Sequence, residues 1–191
     1  MTAEMVSVSS QDVARTVSDL RSLRTEAQLS AVTEMLGQAR FGLQVASAAQ
    51  DLPGIVEWKA KGAAIQEITK QLQLGKDMQL DAAEFVRRAE RGLGVAIREG
   101  QQRGDILRRG QTRTKANQNG ELVQYKNSAP SPVDFAASQT ELSGTGLQPG
   151  IYALTDCVSD EQFEEAIAEA RREGNLSRAE AWGQIQRWVV S

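Results

Sequence analysis

The sequence contains no histidine. That absence excludes His-ligated metal sites, Ser-His-Asp and Cys-His catalysis, and imidazole acid–base chemistry. Cys157 is the single cysteine, so an internal disulfide and a cysteine-cluster zinc site are excluded and a reducing cytosol fits. Proline occurs four times and aromatics make up 5% of the chain, which argues against a β-sandwich. No apolar run approaches the ~18–20 residues that span a bilayer. The start, Met1-Thr2-Ala3-Glu4, has neither the basic nor the apolar region of a signal peptide. A cytoplasmic protein that does not enter the membrane is expected. No glycine-rich loop ends in Lys-Ser/Thr, and Gly92-Leu93-Gly94 lies inside a helical pattern rather than after a strand. The expectation is therefore no enzyme, no cofactor, no metal and no catalytic residue.

What is present is an uneven charge distribution. The chain carries net −3, but residues 1–85 hold −3, 86–126 hold +6, 127–155 hold −2 and 156–191 hold −4. One basic stretch sits between acidic flanks, and asymmetry of this kind speaks of partners rather than of fold.

The pattern predicts a helix over about 10–50, capped by Ser9 or Ser10. Its stripe begins with Val13, Val17 and Leu20 and continues through Ala27, Ala31, Met35, Ala39, Leu43 and Ala46. Asp51-Leu52-Pro53-Gly54 separates it from a second helix over 54–73, with Ile55, Trp58, Gly62, Ile65, Ile68 and Leu72 on one side. Gly75 is the expected cap of that helix, and Asp77 the expected N-cap of a third. The third helix has the clearest periodicity. Ala82, Val86, Ala89, Leu93 and Ala96 step by four, three, four and three as a heptad seam. This seam is the expected oligomer interface, in a dimer, or packs within the chain.

Residues 111–150 are rich in turn formers and read as a flexible basic and polar linker. The last module, 151–191, opens a helix with a Ser159–Gln162 capping box. Phe163, Ile167 and Ala170 form its buried face, and Gly174 ends it. Ser177 caps a final helix with Ala181, Trp182, Ile185, Trp188 and Val189 on its apolar side. Ala170 and Gly174 have the spacing of a helix-turn-helix, but Glu180 falls where that motif has an apolar core residue, and a plain helical hairpin is the default reading.

The cations Arg87, Arg88, Arg91, Arg98, Arg103, Arg108, Arg109, Arg113 and Lys115 are either a solvated face or an arm for phosphates. On the second reading Arg98, Arg103, Arg108, Arg109, Arg113 and Lys115 contact nucleic acid, while Ser177 and Arg178 start a recognition helix. Glu164, Glu165, Glu169 and Glu173 read as a solvated acidic face.

Two stretches carry a resemblance. Asp81–Gly94 resembles the "AAEIRLRAERRLGELL" helix of small phage, prophage and plasmid proteins. Asp156–Ala179 resembles a C-terminal "VSDEQFEEAIAEAREEGNLSRA" segment of actinobacterial phage and host proteins. The likeness stops after Ala179, where Glu180–Ile185 replaces a run with two further cations. It implies a mobile-element accessory or regulatory protein associated with DNA.

Together these readings predict an all-α fold. An elongated helical hairpin or coiled-coil bundle (1–110) is joined by the linker to a small C-terminal helical pair. The expected function is a phage-encoded DNA-binding regulator. The alternatives are a protein-interaction module directed at a host protein, or a phage structural component.

Overall fold

The structure, a computed structural model, describes residues 8–103, 113–116, 122–125 and 158–176. Its architecture is all-α, as the composition and periodicity predict. The helices are α1 (Ser10–Arg21), α2 (Thr25–Ala48), α3 (Leu52–Gln71), α4 (Lys76–Arg103) and α5 (Asp160–Arg172). Two four-residue strands, β1 (Arg113–Ala116) and β2 (Leu122–Tyr125), pair antiparallel with Arg113 opposite Tyr125 and Lys115 opposite Val123. These eight residues lie within the stretch read from the sequence as a flexible basic and polar linker. No helix among the described residues is long and apolar enough to cross a membrane.

The helix starts follow from their side chains. Ser9 Oγ accepts from the Asp12 N–H at 3.2 Å, and Asp12 Oδ2 accepts from the Ser9 N–H at 3.0 Å, closing a capping box at α1. The Ser9 hydroxyl also donates to Asp12 Oδ2 at 2.8 Å, and this bond first, with that from the Ser9 N–H second, holds the Asp12 carboxyl below its ordinary pKa. At α5 the Gln162 N–H donates to Ser159 Oγ at 3.2 Å, and the Ser159 N–H to Gln162 Oε1 at 2.9 Å. Pro53 occupies the first turn of α3, where its missing N–H costs nothing.

The single helix expected over 10–50 is instead two. The Ser22 N–H bonds back to Asp19 O, and Arg24 is extended at φ −66°, ψ 151°. The Gln28 side-chain amide donates to Leu20 O and Leu23 O, each at 3.1 Å, and so satisfies carbonyls at the end of α1. The buried face of α2 is also rotated from the expected stripe. Val32, Leu36, Ala39, Gly42 and Ala46 are buried, Ala31, Met35 and Leu43 are half-buried, and Ala27 is exposed. At the end of α3 the left-handed position falls on Gln73 (φ 53°), not Gly75, with the Leu74 N–H donating to Thr69 O. Leu74 is thereby buried. Asp77, expected as an N-cap, lies within the first turn of α4.

Short turns make α2, α3 and α4 antiparallel neighbours, and α1 packs on α3. Two apolar clusters run along this bundle. One joins Val17, Leu20, Val32, Leu36, Ile65, Ile68 and Phe85, and the other joins Ala46, Ile55, Val56, Leu93, Ala96 and Ile97. The helices approach closely because two rings lie over glycines. A Cβ on Gly42 would overlap the Trp58 indole, and one on Gly62 would overlap the Phe85 ring.

The expected seam of α4 is core. Ala82, Val86, Ala89, Leu93 and Ala96 are all buried within one chain. Of the two expected coverings, a neighbouring helix of the same chain is the one present: α2 and α3 pack against α4. One polar pair shares this interior. Glu90 is fully buried and accepts from Arg87 Nη1 at 2.6 Å.

Candidate nucleic-acid interface

Placing the basic stretch on a helix divides it. From Arg87 to Arg103 its cations ride on α4, and their fates differ along the helix. Arg87 is committed to Glu90 in the interior. Arg88 and Arg91, one turn apart, face α5. The Arg88 fork grips Glu164 with both terminal nitrogens, Nη2 to Oε2 at 2.8 Å, while its Nε donates to Glu84 Oε1 at 3.1 Å. Arg91 Nη2 donates to Asp160 Oδ1 at 2.8 Å and to Val158 O at 2.9 Å, and its guanidinium lies 4.8 Å from the Phe163 ring centre. On α5, Arg171 returns the arrangement by pairing with Asp81 at 2.7 Å and Glu84 at 2.8 Å. Glu84 thus bridges Arg88 and Arg171.

The result is an alternating row of charges, Asp81, Arg171, Glu84, Arg88, Glu164, that fastens α5 along α4. The Glu164 hydrogen bonds raise the Arg88 pKa against the opposing effect of burial, and Asp81 likewise raises that of Arg171. The apolar residues of α4 in the α5 cluster are Ala83 and Leu80, nearer its other end, beside Val158, Phe163, Ala166, Ile167, Ala170 and Leu176. A groove of about 390 Å³ runs beside the ion pairs, between Ser47 and Ala48 of α2, Gly92 and Val95 of α4, and Phe163 of α5.

This clamp is not legible in local sequence spacing: Glu164, expected as part of a solvated acidic face, pairs with Arg88. The available signal was the opposite charge of the two segments, +6 for 86–126 and −4 for 156–191.

Comparison with protein-family models, with curated proteins and with solved structures finds no match to this chain.

The remaining expected contacts lie at the far end of α4 and beyond. Arg98 and Arg103 are exposed on its last turns. Arg103 Nη1 donates to Gln50 Oε1 at 2.9 Å, and Gln50 in turn donates to Glu99 Oε2 at 2.9 Å, which ties the end of α4 to the turn before α3. Arg113 and Lys115 stand two residues apart on β1. Arg108, Arg109, Ser177 and Arg178 lie outside the described residues, as does the expected recognition helix. The structure therefore brings Arg98 and Arg103 to one end of the bundle, and Arg113 and Lys115 to one strand.

Proposed function

We propose that this chain is a non-enzymatic DNA-binding accessory or regulatory protein of a phage or prophage, working as a dimer in the host cytoplasm. The observation that carries this reading is the net +6 of residues 86–126 between acidic flanks. Arg98 and Arg103 of this stretch are exposed on the last turns of α4, and Arg108, Arg109, Arg113 and Lys115 follow in the sequence. A run of guanidinium groups with few acids suits phosphate contacts, which confer affinity without sequence preference. The likeness of Asp81–Gly94 and Asp156–Ala179 to mobile-element proteins supports the same reading.

Its test is binding to duplex DNA across a salt series. Affinity should fall steeply as salt rises. Replacing Arg108, Arg109, Arg113 and Lys115 with Gln should weaken binding to unrelated sequences by a similar factor. It should also reduce the slope of log K against log salt by about 0.9 for each phosphate no longer neutralised. No binding by the unaltered protein at low salt rejects the proposal.

A second reading, a module that binds a host protein, is favoured by α2. Phe41 and Val45, one turn apart, are 69% and 52% exposed on its outer side, and large apolar groups at such exposure suit a partner surface. Capture of a host protein that survives high salt and is lost on Phe41→Gln would favour this reading.

A further inference from the structure

The geometry points to a second phosphate-binding surface on α4, formed by Arg88 and Arg91, which the carboxylates of α5 occupy as an internal competitor. This inference rests on the DNA-binding reading and adds residues and a regulation to it.

Three observations carry it. The first is direction. Arg91 and Arg98 are seven residues apart, nearly two full turns, so they share a face of α4. The Arg88–Arg91 patch is continuous with the exposed cations at the end of the helix. The second is the form of the contact. Arg88 takes both oxygens of Glu164 on its two terminal nitrogens, the forked arrangement with which arginine also binds phosphate. Glu164 stands where a phosphate would stand.

The third observation is what holds this end of α5 down. Asp160 is 90% exposed, and the Arg88 and Glu164 side chains are 39% and 52% exposed. Water and salt reach these pairs, and exposed pairs of this kind contribute little net stability. Exchange of a carboxylate for a phosphate at Arg88 is therefore close to even. Arg91 is more enclosed, at 12% exposed, beneath Phe163. A phosphate reaches it when the turn from Ser159 to Glu164 lifts, which also uncovers the Phe163 ring, 3% exposed when docked. Ala166, Ile167, Ala170 and Leu176 share the rest of the apolar cluster with Leu80 and Ala83, so the rest of α5 stays docked.

The experiment uses the full chain and a fluorescent duplex oligonucleotide at several salt concentrations. Neutralising the competitor with Asp160→Asn and Glu164→Gln should tighten binding several-fold, and steepen the slope of log K against log salt by about 0.9 for each phosphate gained. Arg88→Gln in the same background should remove most of the gain. Glu165→Gln with Glu173→Gln removes two exposed charges away from the clamp, one on α5 and one at its C-cap, and should leave the slope unchanged. Hydrogen exchange on the unaltered protein gives a second readout that needs no variant to fold. DNA should speed exchange at 159–164 and slow it along 88–98.

If the unaltered protein binds DNA, but the neutralised variant binds no more tightly and exchange at 159–164 does not move, the inference fails and DNA binding stands. A gain matched by the Glu165/Glu173 control also overturns it, because net charge alone would then explain the effect. If neither protein binds DNA at low salt, both the inference and the reading beneath it fall.

Discussion

Helix α4 makes two contacts of opposite character. Towards α2 and α3 it presents Ala82, Ala89, Leu93 and Ala96, all buried, with the Phe85 ring over Gly62. Towards α5 it presents Asp81, Glu84, Arg88 and Arg91, paired with side chains that water reaches. The first contact depends on shape and on removing apolar area from water, which salt does not screen. The second adds to the apolar contacts of Leu80 and Ala83 a row of charges, which salt does screen. One helix can therefore anchor a bundle on one side and hold an exchangeable neighbour on the other. The difference lies in residue type, since both sets follow the same helical spacing.

The comparison breaks most severely at Leu93. An aspartate there would bury an unpaired carboxylate beside Ile55 and Ala96, at a cost of about 4–5 kcal/mol. Leu93→Asp should lose most of its helical circular dichroism at 25 °C, and added salt should not restore it. A melting curve like that of the parent would show that the seam is not core.

A smaller effect is expected at the charged contact. Arg171→Ala removes the pairs to Asp81 and Glu84, both partly exposed, and should cost about 1 kcal/mol at low salt. The difference between variant and parent in thermal melting should shrink in 1 M salt. A cost that salt leaves untouched would mean that Arg171 acts through packing of its stem.

The smallest effect separates the two capping boxes by pH. Asp12 has a depressed pKa in the folded chain, so its contribution is complete above the ordinary carboxylate pKa and is lost as pH falls through the depressed one. Amide protection at the first turn of α1 should fall over that acid range. The α5 box is closed by the Gln162 amide, which does not titrate, and keeps both arms. Glu161 beside it is also lowered, by hydrogen bonds from its own backbone and from Ser159, so α5 loses that contribution in acid but keeps the box itself. Equal loss of protection at both helix starts would contradict this account.

The parts of the fold legible in the sequence were those governed by near neighbours. The α4 seam, the face of α3 and the Ser159–Gln162 box follow from spacing, and the structure has all three. The break at Ser22–Arg24 carries neither Gly nor Pro, and depends on Gln28 reaching back to two carbonyls. The face of α2 was misjudged because alanines at 27 and 31 continue a stripe as well as Val32 and Leu36 do, and only packing decides between them. Gln73 took the left-handed position because the cap there also buries Leu74. The ion pairs between α4 and α5 join residues 69 to 90 positions apart, a separation at which spacing carries no information.

The two rings seated over glycines have a mechanical consequence. Trp58 fits over Gly42 and Phe85 over Gly62, so α3 is keyed to a neighbour on each side. A slide of one turn along α2 would bring the indole onto Ala39 or Ala46, and a slide along α4 would bring the Phe85 ring onto Trp58 or Ile65. Neither offers a gap of that depth. The antiparallel bundle, whose small and repetitive side chains would otherwise tolerate several alignments, is thus restricted to one register, in the manner of two keys in two slots. Filling either slot would let the helices slip before it made them melt.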